Sequence, residues 1–152
     1  MDISHPRRKG AFSFPTFKDA ESIQVLQNRA ARLVTKLSWD TPVRTLLHQC
    51  GWLSVQQLVH YHSLMLVYKM KLQGKPEYFQ ERFSSEFPYS TRLATGLGIR
   101  RVENIQYEAS KSSFVPRTSR IWNLLPLQLR TARNEKQFKA KLKPWILDNI
   151  PV

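Results

Sequence analysis

Apolar residues recur at helical spacing over residues 19–37 and predict an amphipathic helix there. The members of this apolar stripe lie three or four positions apart: Ile23, Leu26, Ala30, Leu33, Val34 and Leu37. We expect the stripe to face the core, as it does in most surface helices. Three basic residues, Arg29, Arg32 and Lys36, fall on a different face of the same helix. The first predicted element therefore has one face for packing and one basic face.

Two more helices are predicted in the first half of the chain. Pro42 suits the start of a short helix and Gly51 suits its end. Residues 55–73 are apolar around most of a helical circumference, which predicts the buried centre of the domain, and Gly74 ends this helix. We expect Trp52, between the two helices, to be a structural anchor.

The pattern weakens over residues 84–112, where proline and glycine interrupt it, and the sequence allows a short β-hairpin near 97–115. A helix beginning near Pro116 would stop at Pro126, because proline lacks the N–H that continues a helix. A last helix is predicted from about Asn134, with an end or a kink at its internal proline. The expected structural anchors of this part are Trp122, Leu125, Pro126 and Phe138.

These elements predict a mainly α protein, a small helical domain of about five or six helices. The chain of 152 residues is long enough to bury a core. The predicted segments are an irregular basic arm (1–17), a helical core (18–83), a loop-rich or hairpin insert (84–112), basic C-terminal helices (113–147) and a tail (148–152).

Charge points to a polyanionic partner. The formal net charge is +13 and the isoelectric point is about 10.3. Between Lys111 and Lys143 there are nine basic residues and one acid, Glu135, a net +8. A balance of this size is typical of proteins that bind nucleic acid, and the alternative is a generic basic surface. The single cysteine and the lack of a long apolar segment favour an intracellular protein of the nucleus or cytoplasm.

The candidate binding residues are basic side chains that could neutralise the phosphates of RNA or DNA. They are Arg29, Arg32, Lys36, Arg117, Arg120, Arg130, Arg133, Lys136, Lys139 and Lys143. An arginine near Trp122 could instead stack on its indole, and Trp122 itself is expected in the core. Asn123 is expected to cap or to bond a loop carbonyl.

Neither a metal site nor a catalytic set is predicted, and no cofactor is expected. Histidine and cysteine occur in pairs two residues apart, and such residues do not share a helix face. A zinc site needs about four ligands. His62 lies on the apolar side of its helix and is expected in the core or at its boundary. Cys50 lies at a predicted helix C-terminus, where the helix dipole does not activate a thiol.

Five sequence blocks, taken in order, resemble the C-terminal segment of non-LTR (LINE-type) retrotransposon reverse transcriptases. The blocks are I-Q-V-L-Q-N-R-A-A-R-L-V (23–34), G-W-L-S-V (51–55), L-V-Y-K (66–69), S-S-F-V-P-R-T-S-R-I-W-N-L-L-P (112–126) and F-K-A-K-L-K (138–143). The resemblance spans about residues 20–147. It implies a tail that follows the polymerase and thumb regions and touches template RNA or target DNA.

The resemblance does not imply activity for this chain. Polymerases of that family use paired aspartates to hold two metal ions about 4 Å apart. The four aspartates here, Asp2, Asp19, Asp40 and Asp148, are scattered along the sequence. One cysteine also cannot form the Cys-Cys-His-Cys zinc motif of some relatives. We therefore expect a non-catalytic nucleic-acid-binding domain. The alternative is a structural interaction module, packing through apolar faces on a polymerase or another protein, or an inert translated relic.

Overall fold

A computed structural model of the protein describes residues 17–74, 83, 98–99 and 113–152, and this part of the chain is helical. Its six helices are α1 (Phe17–Thr35), α2 (Val43–Cys50), α3 (Val55–Gln73), α4 (Phe114–Leu124), α5 (Leu127–Arg130) and α6 (Glu135–Asn149). The described ranges contain no strand. The predicted mainly α fold is confirmed. Residues 1–16 of the predicted arm and most of the predicted insert lie outside the described residues.

The chain divides into two compact units, one up to Val55 and one from Gln56 onward. In the first unit, α1 packs on α2 around Ala31, Leu46 and Leu47, which are almost completely buried. Partly buried residues at the edge of this small core are Leu37, Val43, Cys50 and Trp52. Trp52 is thus a half-buried anchor, as the sequence predicts.

The face of α1 that packs is not the predicted one. The large apolar residues of the predicted core stripe, Ile23, Leu26, Leu33 and Val34, are exposed. Ala31 is buried instead, because its small side chain lets the short α2 approach. On the same side, Gln24 Oε1 accepts from Val55 N at 2.8 Å and Gln27 Nε2 donates to Leu53 O at 2.8 Å. Backbone groups of residues 53–55 therefore select a polar face that apolar periodicity does not reveal.

The ends of the first three helices use left-handed residues. Gly51 (φ 65°) caps α2 and donates to His48 O at 3.0 Å, as predicted. Gly74 (φ 67°) follows α3 and donates to Met70 O at 2.8 Å. After α1 the same conformation falls on Lys36 (φ 55°), whose N–H donates to Arg32 O. A lysine thus occupies a position that glycine adopts with less strain.

The second unit has an aromatic centre formed by α3, α4 and α6. Tyr68 stacks on Phe138 with ring centroids 4.1 Å apart, and its hydroxyl donates to Ala132 O at 2.9 Å. Trp122 lies 6.1 Å from Phe138 and is completely buried. Leu125 is also buried, whereas Pro126 is exposed and precedes the first residue of α5. The predicted anchors therefore sit in or beside this core.

Two details of the C-terminal part differ from the prediction. Asn134 caps α6 by accepting from Gln137 N at 2.8 Å, as expected. The helix then continues past Pro144 to Asn149, beyond the predicted boundary at 147. Proline removes one backbone hydrogen bond, and the buried residues Leu142 and Ile146 on either side hold the turn. The second difference is that Phe114 and Val115, which the sequence allowed in a hairpin near 97–115, begin α4.

Candidate nucleic-acid interface

An arginine–tryptophan stack stands at the end of α1 in the first unit. The Arg32 guanidinium lies 4.6 Å from the ring centroid of Trp39. Arg32 Nη2 also donates to the Trp39 carbonyl at 3.2 Å, which fixes the arginine against the turn. Trp39 nevertheless remains 75% exposed. A rigid indole in contact with solvent and backed by a cation is suited to stack on a nucleic-acid base.

Basic residues accompany this stack. Arg29 is exposed on α1, and Lys36 is exposed at the residue that follows the helix. The three predicted basic residues of α1 therefore differ in role, because Arg32 is committed to Trp39. Asp40 follows Trp39, and hydrogen bonds, chiefly with Ser38, hold the pKa of its carboxyl below the ordinary value. The carboxylate lowers the positive charge immediately beside the indole.

The lysines of α6 form a second basic surface, in the other unit. Lys136, Lys139 and Lys143 are exposed and share a face, while Lys141 is exposed on a different side. Lys139 Nζ lies 2.6 Å from Glu135 Oε1, and Lys69 of α3 lies 3.5 Å from the same oxygen. These contacts, first of all the Lys139 hydrogen bond, lower the pKa of Glu135. Lys139 therefore already has an acidic partner.

The predicted arginines of the C-terminal part divide into two kinds. Arg120 and Arg133 are exposed, as a phosphate-binding role requires. Arg117 and Arg130 are half-buried, and burial lowers the pKa of both. Arg130 Nε donates to Leu125 O at 3.1 Å, which ties it to the turn before α5. In the described part of the chain, Arg117 Nε and Arg130 Nη1 are buried without a hydrogen-bond partner.

Trp122 and Asn123 have structural roles. Trp122 is a core residue, as predicted, and the cation over its ring is Lys71, with Nζ 5.9 Å from the centroid, rather than an arginine. Asn123 bonds the backbone of Ile99, so the expected bond to a loop carbonyl is confirmed. This pair adds no binding surface for a ligand.

The histidine prediction was wrong about which residue is buried. His62 is exposed and meets Tyr61 edge to face, with ring centroids 5.4 Å apart. His60 is buried, and that burial, followed by the charge of Arg117, lowers its pKa. Over the ranges that the structure covers, no three His, Cys, Asp or Glu residues gather as metal ligands.

Sequence periodicity missed Trp39, because the residue lies in a turn outside any helical stripe. The available signal was an aromatic residue in a polar segment close to three basic ones. Comparisons with protein-family models, curated proteins and solved structures find no match. None of the helices in the described ranges is both long and apolar enough to cross a membrane.

Proposed function

We propose that this protein is a non-catalytic domain that binds single-stranded RNA or DNA. It would contact the phosphate backbone of the nucleic acid and stack a base on Trp39. The observation that carries the proposal is the Arg32–Trp39 stack, which holds an exposed indole three residues after the exposed Lys36 in the sequence. The resemblance of five sequence blocks to the tail of LINE-type reverse transcriptases supports the same function. In that setting the domain would hold template RNA or target DNA for a polymerase.

The chemistry assigns separate tasks to these residues. Arg32 covers part of the indole and adds positive charge, so a base can stack on the exposed part of Trp39. Stacking of one base on an aromatic side chain contributes about 1–3 kcal/mol and tolerates any base. Arg29 and Lys36 would contact phosphates, and such contacts carry no sequence information. We therefore expect affinity with little sequence preference.

The exposed basic residues of the second unit extend this electrostatic contribution. Lys136 and Lys143 on α6, together with Arg120 and Arg133, carry charge into solvent. Each phosphate neutralised releases counterions, so affinity falls as salt rises. The net charge of +13 favours such binding over the whole chain.

The experiment is a titration of the full chain into a fluorescein-labelled single-stranded RNA of about 12 nucleotides, within the site sizes usual for such binding. Trp39→Leu should weaken binding by about 5- to 100-fold, because one stacked base is lost. Arg29→Ala should weaken binding and lower the salt dependence. The matched control is Arg44→Ala, an exposed arginine on α2, which should change affinity little.

Two results would contradict the proposal. One is wild-type binding that is absent or insensitive to salt. The other is unchanged affinity in Trp39→Leu while its circular dichroism remains that of the wild type.

A further inference from the structure

The solvent side of α1 carries an apolar stripe, formed by Ile23, Leu26, Ala30, Leu33 and Val34. Leu26 is 62% exposed and Leu33 is 81% exposed, values usual for charged residues. Helical geometry places the centre of the stripe about a third of a turn from Ala31, which packs on α2. An apolar face that turns away from its own core marks an interaction site.

The spacing of the stripe defines the shape of what can cover it. Ile23, Leu26, Ala30 and Leu33 are separated by three, four and three residues, the pattern of a coiled-coil seam. A seam with this spacing receives the side chains of a second helix as knobs in holes. The stripe extends over about 16 Å, at 1.5 Å per residue, which three turns of a partner helix would cover.

The basic residues beside the stripe determine which charges a partner helix should carry. Arg29 is exposed along one edge of the seam, and Lys36 is exposed just past the end of the helix, after Thr35. Residues at these positions set the choice of partner through charge pairs across the interface. We infer that the α1 stripe binds an amphipathic helix of another protein whose apolar seam is flanked by acidic residues. The inference rests on the exposed stripe, although Arg29 and Lys36 also belong to the surface of the proposed nucleic-acid binding.

A second copy of this chain is a poorer match. In an antiparallel pair the Arg29 side chains of the two copies would face each other. In a parallel pair, Arg29 would face Val34 of the other copy, which offers no acid. The nearest acid in sequence to the stripe, Glu21, lies on the opposite side of the helix, and Asp19, which lies in line with the stripe, already interacts within the chain. The net charge of +13 adds repulsion between copies.

Three labelled synthetic peptides of about 21 residues, or three heptads, test the inference with the full chain. The first has leucine at the seam positions and glutamate at the flanks. The second has the same seam with lysine flanks. The third has the composition of the first in scrambled order, so it keeps the negative charge and loses the seam. Binding is measured by fluorescence anisotropy at near-physiological salt.

We expect the first peptide to bind about tenfold or more tightly than the other two. The double variant Leu26→Ser/Leu33→Ser should lose this preference, whereas Leu124→Ser, which changes an exposed leucine of the other unit, should retain it. The double variant Arg29→Glu/Lys36→Glu should favour the lysine-flanked peptide. Because all four substituted residues of the two double variants are exposed or at the helix end, circular dichroism should show that the variants still fold.

Three outcomes would overturn the inference. Equal binding of the scrambled peptide would mean that net charge alone attracts it. A wild-type dimer in sedimentation that Leu26→Ser/Leu33→Ser abolishes would identify a second copy as the occupant. Loss of RNA binding in the same variant, with its fold intact, would place the stripe in the nucleic-acid surface instead.

Discussion

Asn123 of α4 forms two hydrogen bonds with the backbone of Ile99. The Ile99 N–H donates to Asn123 Oδ1 at 2.8 Å, and Asn123 Nδ2 donates to Ile99 O at 2.7 Å. Both bonds involve a fully buried residue, because Ile99 is completely shielded from solvent. A single amide therefore attaches residue 99 to a helix 24 positions away and satisfies both of its backbone groups.

Asn123→Asp should destabilise the second unit because it keeps the acceptor and removes the donor. Ile99 O would then lie buried without a partner, beside a carboxylate that repels it. We expect a loss of about 1–3 kcal/mol in the free energy of unfolding, measured by urea denaturation. The matched control is Asn134→Asp, which changes the α6 cap and retains its acceptance from Gln137 N. That control should differ from wild type by less than about 0.5 kcal/mol. Equal stabilities of the two variants would contradict the structural role of Asn123.

Lys36→Gly should stabilise the protein although it removes a side chain. A non-glycine residue in the left-handed region is strained, and glycine relieves this at a cost in unfolded-chain entropy. We expect a net gain of about 0.5–1 kcal/mol and a higher melting temperature by circular dichroism. Lys36→Ala removes the same charge and retains the strain, so it should show no gain.

The same pair of variants separates strain from binding at residue 36. If Lys36 contacts phosphate, both variants should lose RNA affinity equally. If Lys36→Gly is less stable than Lys36→Ala, the left-handed conformation of residue 36 imposes little strain on a non-glycine residue.

The regular part of the fold could be predicted from sequence, and the choice of faces could not. The helices of residues 17–35, 43–50 and 55–73 follow apolar periodicity and their terminal glycines or prolines. Periodicity placed Leu26 and Leu33 inward, since it cannot show that Gln24 and Gln27 satisfy backbone groups of another segment. It also placed His62 in the core or at its boundary, because nearly the whole circumference of α3 is apolar.

For the candidate site, the sequence predicted which residues carry positive charge but not the contacts that those residues make. The basic residues of α1 and α6 were visible as runs along the sequence. Their roles depend on tertiary contacts: Arg32 covers Trp39, Lys139 pairs with Glu135, and Arg130 bonds to a turn. Sequence spacing alone does not distinguish such committed side chains from free ones.

The stability of the protein should fall as the solution becomes more acidic than the ordinary pKa of histidine, about 6.5. Burial lowers the pKa of His60 in the folded state, so the unfolded chain takes up a proton first. Stability attributable to the neutral imidazole is therefore complete above pH 6.5 and is lost as pH falls through the lower folded value. His60→Gln should flatten urea-denaturation free energies between pH 7.5 and about pH 5, and exposed His62→Gln should leave the slope unchanged. A wild-type slope that persists in His60→Gln would assign the effect to other groups.

The two exposed sides of α6 should differ in their contribution to RNA binding. Lys136 lies on the side shared with Lys143, whereas Lys141 lies on another, and all three are exposed. If the shared side contacts phosphates, Lys136→Ala should reduce the slope of log affinity against log salt by about 0.7, the value for one contact with a single strand. Lys141→Ala removes an equal charge from the same helix and should leave the slope nearly unchanged. Equal reductions in both variants would show that RNA responds to the net charge of the chain, with no preferred face on α6.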